Sequence, residues 1–227
     1  MSSAPPIILL VFAHPDDHLL VAGTIFKYRA QGYNVHEIVC TGGENGVIGG
    51  QKNTQDKTKQ IRLAEHQAAA TLLGLSSTIY LDKRDGFVYY DDQIVLQLAH
   101  QIRTLLPQIV ITHTLVDMHP DHETVAAMTR QAVKLAHLSV DLHVDEKRWR
   151  VPMLWYVQCY LTAEHHILID TSEFTSQKQT VVQTYPSQHN PKLVKSMCVI
   201  DHRNALVLPN TDSAEGYQTD PSWPLQL

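Results

Sequence analysis

Ile7-Ile8-Leu9-Leu10-Val11-Phe12-Ala13-His14-Pro15-Asp16-Asp17-His18 is the stretch that decides the fold of this chain. Six apolar, mostly β-prone residues in a row predict a buried strand, and the polar residues behind them predict a turn at its carboxyl end. Pro15 fixes φ at about −65° and suits the first position of a helix. A strand, a polar turn and a helix in this order are typical of the first unit of an α/β domain.

Three further strand and helix pairs follow this first unit. The predicted strands are residues 7–12, 35–41, 78–81 and 109–112, and the predicted helices are residues 17–31, 54–73, 91–106 and 122–138. Gly32 and Gly74 stand where the first two helices should end. The alternation predicts an α/β fold with a Rossmann-like, doubly wound, mostly parallel sheet and helices on both faces.

Beyond Val140 the rhythm changes. We predict added strands at residues 152–160 and 167–169, a helix at residues 172–185, and an irregular tail over residues 213–227. The sequence has no low-complexity segment, internal repeat or linker. A chain of 227 residues with 44% hydrophobic content can bury one sizeable core, so we expect a single domain spanning residues 1–227.

Charge and cysteine content exclude several classes of partner. The net charge is −5 and no run of Lys or Arg occurs, which argues against nucleic acid or an anionic membrane as a partner. The first apolar run is too short to span a bilayer. The three cysteines are scattered, as expected of a reducing compartment. We therefore expect a cytoplasmic protein that acts on a small molecule, with a homo-oligomer allowed.

A second His-Pro-Asp triplet, His119-Pro120-Asp121 followed by His122, comes after the fourth predicted strand. A shuffled sequence of this composition would contain roughly 0.04 such triplets, so two copies indicate a shared purpose. In a doubly wound sheet the carboxyl ends of the strands meet at one edge, where ligands bind. Imidazole and carboxylate groups suit zinc or another divalent ion, and a catalytic zinc needs three protein ligands.

Each motif also has a simpler explanation. The acids behind His14 could only cap a helix, and His14 with His18 could form a pair four residues apart, although Pro15 and the lack of a glutamate base disfavour that pair. Arg62 and Glu65 could form a surface ion pair. The Gly-rich loop 42–50 could bind a dinucleotide, but no helix opens directly after it, so active-site backbone is the preferred interpretation.

Taken together, these motifs resemble the PIG-L/LmbE-like family of zinc-dependent N-deacetylases. The resemblance is carried by the segments 13–17, 41–46 and 119–122 and by Arg62 with Glu65, and more weakly by Ser187-Gln188 and the segment 214–216. It implies that His14, Asp17 and His122 bind Zn²⁺ or another divalent metal. The chain departs from the family pattern at His18, where the family usually has glutamate.

The resemblance also implies the remaining roles. Asp16 would be the general base, His119 would stabilise or protonate the reaction centre, and Asp121 would orient His119. We expect Arg62 and Glu44 to contact the substrate. A further histidine, His113, stands at a strand end without an assigned role.

The chemistry that follows is hydrolysis of an amide by a water molecule that the metal activates. We expect removal of an N-acetyl, or other N-acyl, group from an amino sugar or a related conjugate. The alternatives are a zinc amidase acting on a non-sugar amide, a non-catalytic metal-binding or ligand-binding protein, and a nucleotide-binding oxidoreductase. Asp16 argues against a non-catalytic protein. We expect His18 to be neutral and to lie beside the metal site or face the substrate without binding the metal.

Overall fold

A computed structural model describes residues 4–46, 53–141, 143, 145–157, 165–188 and 191–220. These residues form one seven-stranded sheet with the order β3-β2-β1-β4-β5-β7-β6. The strands are β1 Ile7–Phe12, β2 Asn34–Thr41, β3 Ser77–Lys83, β4 Ile109–His113, β5 Met153–Val157, β6 Ile167–Asp170 and β7 Ala214–Thr219. The helices are α1 Ala22–Ala30, α2 Gln55–Leu73, α3 Asp92–Leu105, α4 Pro120–His137, α5 Thr175–Val182 and α6 Pro191–Ala205.

Strand β1 lies at the centre of the parallel part of the sheet. It pairs with β2 on one side and with β4 on the other, and β3 and β5 extend the parallel ladder outward. Strand β7 is antiparallel to both β5 and β6. Because the strand order reverses at β1, the turns after β1 and β4 meet at the crevice where such sheets bind ligands.

The side chains of β1 alternate between two hydrophobic clusters. Leu9 and Val11 pack on the side that includes residues of α3 and α4, whereas Ile8, Leu10 and Phe12 pack on the side of α1 and α2. Each fully buried aliphatic side chain contributes about 1.5–3 kcal/mol to stability. Helices therefore cover both faces of the sheet, and the predicted α/β architecture is confirmed.

Two local signals set the ends of α2 as predicted. The Thr54 side chain accepts a hydrogen bond from the Lys57 amide at the start of the helix, and Gly74 ends it with a positive φ of 64°. The first predicted helix is different. Asp17–Val21 forms a short 3-10 helix, and α1 begins only at Ala22.

The C-terminal part corrects the sequence-based prediction. The expected irregular tail is wrong at its start, because residues 214–219 form β7, and residues 221–227 lie outside the described part. Glu215 and Gly216 have low β propensity, which hid this strand. Glu215 is held instead by residues distant in sequence, since it accepts hydrogen bonds from the Gly23 and Thr24 amides at 2.9 and 2.8 Å.

Two other predictions in this region need adjustment. Helix α6 was not predicted at all, and the predicted helix at residues 172–185 is a 3-10 turn, Ser172–Phe174, followed by the short α5. The strand predicted over residues 152–160 is confirmed as β5 over residues 153–157, and residues 158–160 lie outside the described part.

Candidate active site

The turns after β1 and β4 bring the two His-Pro-Asp motifs together. In the second motif His119 caps the N-terminus of α4 and Pro120 is its first residue, as expected for proline. A cavity of about 380 Å³ opens between the two turns. Six of the residues singled out from the sequence line it: His14, Asp16, Asp17, Arg62, His119 and His122.

Three of these residues direct donor atoms toward a common point. The Nδ1 atom of His14 lies 3.2 Å from Nε2 of His122 and 3.4 Å from Oδ2 of Asp17, and Oδ1 of Asp17 lies 3.5 Å from Nε2 of His122. A tetrahedral ion with bonds of about 2.1 Å separates its donors by about 3.4 Å. Each oxygen of Asp17 lies near one of the two imidazoles, and these spacings fit a divalent metal; we call His14, Asp17 and His122 the donor triangle.

The outer nitrogens of the same two imidazoles face carboxylates. Nε2 of His14 lies 3.1 Å from Oδ1 of Asp85, and Nδ1 of His122 lies 3.2 Å from Oδ1 of Asp117. Metal-binding histidines are commonly held in this way, because a carboxylate on the outer nitrogen fixes the ring and strengthens the inner nitrogen as a ligand. Asp85 and Asp117 were missed by the sequence reasoning, although both stand in the loops that follow β3 and β4.

The charges around the donor triangle favour a cation. Burial alone would raise the pKa of Asp17, but the nearby His122, His113 and His14 rings outweigh burial and hold that pKa well below its usual range. For Asp85, Asp117 and Asp121 burial also works against ionisation, yet the hydrogen bonds that these groups accept lower each pKa. Three carboxylates, Asp85, Asp117 and Asp121, thus surround the triangle, to which Asp17 adds a fourth.

The surrounding carboxylates also shift the pKa of His14. Burial would lower the pKa of the ring, but Asp17, Asp121 and Asp85 together raise it well above its usual range. The same carboxylates that favour a positive charge on His14 would favour a divalent ion at this site.

His119 has the features of a neutral hydrogen-bond donor. Burial lowers the pKa of its ring, and the neighbouring His14 and His122 lower it further. Its Nδ1 atom accepts a hydrogen bond from the Asp121 amide at 3.2 Å. A neutral imidazole that accepts at Nδ1 carries its hydrogen on Nε2, so this ring has an N–H to offer on its other side.

The role expected for Asp121 is corrected by the structure. Its two carboxylate oxygens accept hydrogen bonds from the Gly86 and Val88 amides at 2.7 and 3.0 Å, and Oδ2 lies 3.5 Å from Nε2 of His14. Only the backbone amide of Asp121 meets His119. Because helix α4 begins at this point, the side chain points to the loop after β3, and it supports His14 rather than orienting His119.

Arg62 is buried and serves the cavity, so the surface ion pair with Glu65 is excluded. Its Nη2 atom donates to Oδ1 of Asp16. The guanidinium packs on Gly43, where φ is +65° and an added Cβ would lie 2.6 Å from the Arg62 Nε atom. Glu65 instead accepts hydrogen bonds from the backbone amide and the hydroxyl of Ser187.

The loop after β2 lines the cavity through residues other than the one predicted. Glu44 accepts a hydrogen bond from the Asp85 amide at 2.8 Å, which ties the loops after β2 and β3 together. Asn45 and Gly46 line the cavity, and the Asn45 amide donates to Asp85 at 2.9 Å. Glu44 therefore joins two loops, whereas the cavity is lined by Asn45.

His18 does not line the cavity. Its Nδ1 atom lies 3.0 Å from Oε1 of Glu37, and its Nε2 atom lies 2.8 Å from the Tyr185 hydroxyl. That hydroxyl is also 2.6 Å from the Pro15 carbonyl, which can only accept. The hydroxyl donates its single hydrogen to Pro15, so it accepts from Nε2 of His18, and both ring nitrogens of His18 are engaged by side chains.

Glu37 completes this buried arrangement. Its Oε2 atom lies 2.8 Å from Nε2 of His66, whose Nδ1 atom meets the Tyr80 hydroxyl at 2.6 Å. Burial would raise the pKa of Glu37, but His18 and His66 outweigh it and hold the pKa at about 2. We call His18, Glu37, His66, Tyr80 and Tyr185 the closed cluster.

His113, which had no predicted role, supports the donor triangle. The ring is fully buried and stacks on His122 with centroids 3.8 Å apart. The Ala13 amide donates to its Nε2 atom at 3.1 Å, and Oδ2 of Asp17 lies at the same distance. Burial lowers the pKa of His113 to about 4, so the ring stays neutral, its Nε2 accepts from Ala13, and its stacking positions His122.

The sequences of named deacetylases match part of this chain. The 1D-myo-inositol 2-acetamido-2-deoxy-alpha-D-glucopyranoside deacetylase of Mycobacterium leprae is 32% identical over 192 residues, which cover 71% of this chain and 62% of that protein. The chain thus spans about three fifths of the length of this relative. No helix in the described ranges is both long and apolar enough to cross a membrane.

Solved structures with the same fold include proteins named as a deacetylase and as a hydratase. Protein TT1542 of Thermus thermophilus is 28% identical with a TM-score of 0.83, covering 97% of this chain and 96% of its own. N,N'-diacetylchitobiose deacetylase of Pyrococcus horikoshii has a TM-score of 0.85 at 21% identity, covering 95% and 84%. The 4-carboxy-2-hydroxymuconate hydratase GalB of Pseudomonas putida has a TM-score of 0.85 at 23% identity, covering 94% and 95%. The last two show only the fold.

The family model for PIG-L, described as GlcNAc-PI de-N-acetylase, matches residues 9–133. This segment contains both His-Pro-Asp motifs, Arg62 and the carboxylates behind the histidines. Because the match covers more than half of the sequence and includes the donor triangle, the chain belongs to the PIG-L family.

Proposed function

We propose that this protein is a zinc-dependent N-deacetylase that removes the acetyl group from an amino sugar or a related conjugate. The observation that carries the proposal is the convergence of the His14, Asp17 and His122 donors on one cavity that also contains Asp16 and His119. A set of two imidazoles and one carboxylate is a known ligand set for catalytic zinc.

His14, Asp17 and His122 would hold the ion. When bound, a zinc ion polarises an amide carbonyl and lowers the pKa of a water molecule toward neutrality. The outer carboxylates Asp85 and Asp117 would keep the two rings in their ligand orientation. Another divalent metal would be compatible with the same donors.

The remaining residues handle the protons. Asp16 lines the cavity and would accept a proton from the attacking water, while Arg62 holds one of its oxygens in place. The N–H on Nε2 of His119 would donate to the carbonyl oxygen as negative charge develops there. Asp16 would then return its proton to the departing nitrogen, so that water and amide become acetate and a free amine.

The sugar part of the proposal draws on the relatives. The Mycobacterium leprae relative is named for a 2-acetamido sugar joined to inositol, and the Pyrococcus horikoshii neighbour for an acetylated chitobiose. In this chain Asn45 and Arg62 offer the hydrogen-bond donors that sugar hydroxyls need. A zinc amidase for a non-sugar amide is the alternative.

One experiment separates these functions. The purified chain is loaded with Zn²⁺ and incubated with N-acetylglucosamine, its methyl glycoside, N,N'-diacetylchitobiose and N-acetylated non-sugar amines, while acetate and free amine are measured. We expect equal amounts of both products from the sugars. Release only from the non-sugar amines would indicate the amidase. A protein that holds zinc but cleaves none of them would contradict the proposal and favour a binding role.

The cellular and assembly predictions belong to the same proposal. We infer a cytoplasmic enzyme with a small N-acylated substrate, working as a single domain over residues 1–227 and able to form a homo-oligomer. Fractionation and light scattering of the purified chain would test the location and the assembly.

A further inference from the structure

The catalytic cavity has an apolar wall that the deacetylation chemistry does not use. Leu19, Leu20, Met197 and Ile200 line the same cavity as the donor triangle. We call these four residues the apolar wall. Leu19 and Met197 are 6% and 8% exposed and belong to the hydrophobic cluster under α1, and Leu20 packs against that cluster. The wall is therefore a packed extension of the core.

Sugar hydroxyls gain nothing from such a surface. The four side chains offer no hydroxyl, amide or charged group, and a hydroxyl buried against them would lose its hydrogen bonds to water. Carbon placed there instead gains from leaving water. A simple amino sugar would satisfy the polar side of the cavity and leave the wall without a matching group.

The wall also leads away from the reacting centre. Met197 borders a second cavity of about 190 Å³ together with Val182 and Thr175. The acetyl carbonyl has to lie at the donor triangle, so the part of the substrate that reaches outward is the substituent on the sugar. A group on the anomeric oxygen is the extension that a glycoside naturally carries away from its 2-acetamido group.

The wall comes partly from a segment outside the family match. The donor triangle, Asp16 and Arg62 lie within residues 9–133, whereas Met197 and Ile200 lie on α6. The reacting centre thus lies within the family match, and α6 adds side chains from beyond it. Side chains at such positions are suited to determine which substrate is used.

We propose that the physiological substrate is an amino-sugar glycoside with an apolar aglycone, an alkyl or aryl group that packs on the apolar wall. This inference rests on the proposed deacetylase function. Each fully buried methylene strengthens binding about fourfold, so burial of two or three methylenes of an alkyl chain on the wall should raise kcat/KM by about 30-fold.

The test compares three substrates with the zinc-loaded full chain: methyl and hexyl glycosides of N-acetylglucosamine, and a methyl glycoside with an N-hexanoyl group in place of N-acetyl. We expect the hexyl glycoside to exceed the methyl glycoside by about 30-fold in kcat/KM. The ratio should fall below about fivefold in a double variant, Met197→Gln with Ile200→Asn. Val199→Gln, at a 48% exposed position on the same helix, is the matched control and should keep the ratio.

The outcomes separate the inference from the function on which it rests. Turnover of both glycosides at equal rates would contradict the inference that the substrate carries an apolar aglycone. It would leave the proposed deacetylase function unaffected. A preference for the N-hexanoyl substrate alone would assign the wall to the acyl chain and also overturn the proposal. If no substrate is cleaved, calorimetry of the two glycosides with Asp16→Asn decides, because equal affinity contradicts the inference independently of turnover.

Discussion

Two clusters of histidine and carboxylate lie side by side in this protein, and their chemistry differs. The donor triangle of His14, Asp17 and His122 faces a cavity, and its inner donors lie 3.2–3.5 Å apart around a common point. In the closed cluster, His18, Glu37 and His66 bond to one another, and tyrosine hydroxyls take up the remaining ring nitrogens. Composition alone would make both look like metal sites.

The difference lies in where the donor atoms are satisfied. Glu37 places one oxygen on each imidazole, so the closed cluster is complete without an ion and its histidines and glutamate have no exposed surface. The donor triangle has its outer nitrogens held by carboxylates and its inner atoms turned toward the cavity. In a metal site the donor atoms converge on a shared space that an ion can fill. In a structural cluster the donor and acceptor atoms are already hydrogen-bonded to one another.

The largest effect is expected from the donor triangle. Replacing His14, Asp17 or His122 by alanine should release the metal and lower turnover by at least about 10³-fold, because two remaining ligands bind zinc weakly. Elemental analysis should find about one zinc per wild-type chain. Glu37→Gln in the closed cluster is the control and should keep its zinc. Full occupancy in all three alanine variants would end the assignment.

Asp16→Asn should come next, with a loss of turnover of at least about 10²-fold. The amide cannot accept the water proton, but Asp16 is not among the three donors, so zinc should stay bound. Parallel measurement of kcat and metal content checks both halves. A near-native rate with metal present would leave the reaction without Asp16 as its base.

The carboxylates behind the ligands should have intermediate effects. Asp85→Asn and Asp117→Asn should each weaken zinc binding by about 10–100-fold, because the outer nitrogens of His14 and His122 lose their anionic partners. Competition with a zinc-binding dye gives the affinity directly. Asp92→Asn, at an exposed position at the start of α3, is the matched control. If the zinc affinity is unchanged in both Asp85→Asn and Asp117→Asn, these carboxylates do not orient the metal-binding histidines.

Arg62→Lys should have a smaller effect, about tenfold. Lysine keeps the charge but lacks the planar fork that holds Asp16 and lies against Gly43. If Arg62 also binds the substrate, KM rises, and if it acts only through Asp16, kcat falls with KM unchanged. A shift in melting temperature with normal kinetics would rule out both roles.

The closed cluster should matter least for turnover and most for stability. Glu37→Gln removes the buried carboxylate that pairs with both His18 and His66, so the free energy of unfolding should fall by about 3–5 kcal/mol. The melting temperature should fall by on the order of 10 °C, while the folded, zinc-loaded variant keeps its activity within about twofold. Loss of zinc without a change in melting temperature would instead make the closed cluster part of the metal site.

The same geometry changes the expectation for His18→Glu. From the sequence, glutamate there restores the usual family residue and should be tolerated. In the structure the new carboxylate would lie against Glu37 with burial on all sides, so one of the two acids must take a proton or the segment must move. This chain pairs His18 with Glu37, and the two positions have to change together.

The sequence by itself determined the strand and helix units up to residue 138, the parallel sheet and both His-Pro-Asp motifs. These features depend on local patterns, since apolar runs, helical spacing and Pro or Gly signals act over a few residues. Tertiary structure decided the rest. The pairings of His14 with Asp85, Asp16 with Arg62, and His18 with Glu37 join separate elements, and the sheet order that places β1 between β2 and β4 creates them. Strand β7 likewise forms because Glu215 meets the start of α1, a contact between residues about 190 positions apart that no local pattern encodes.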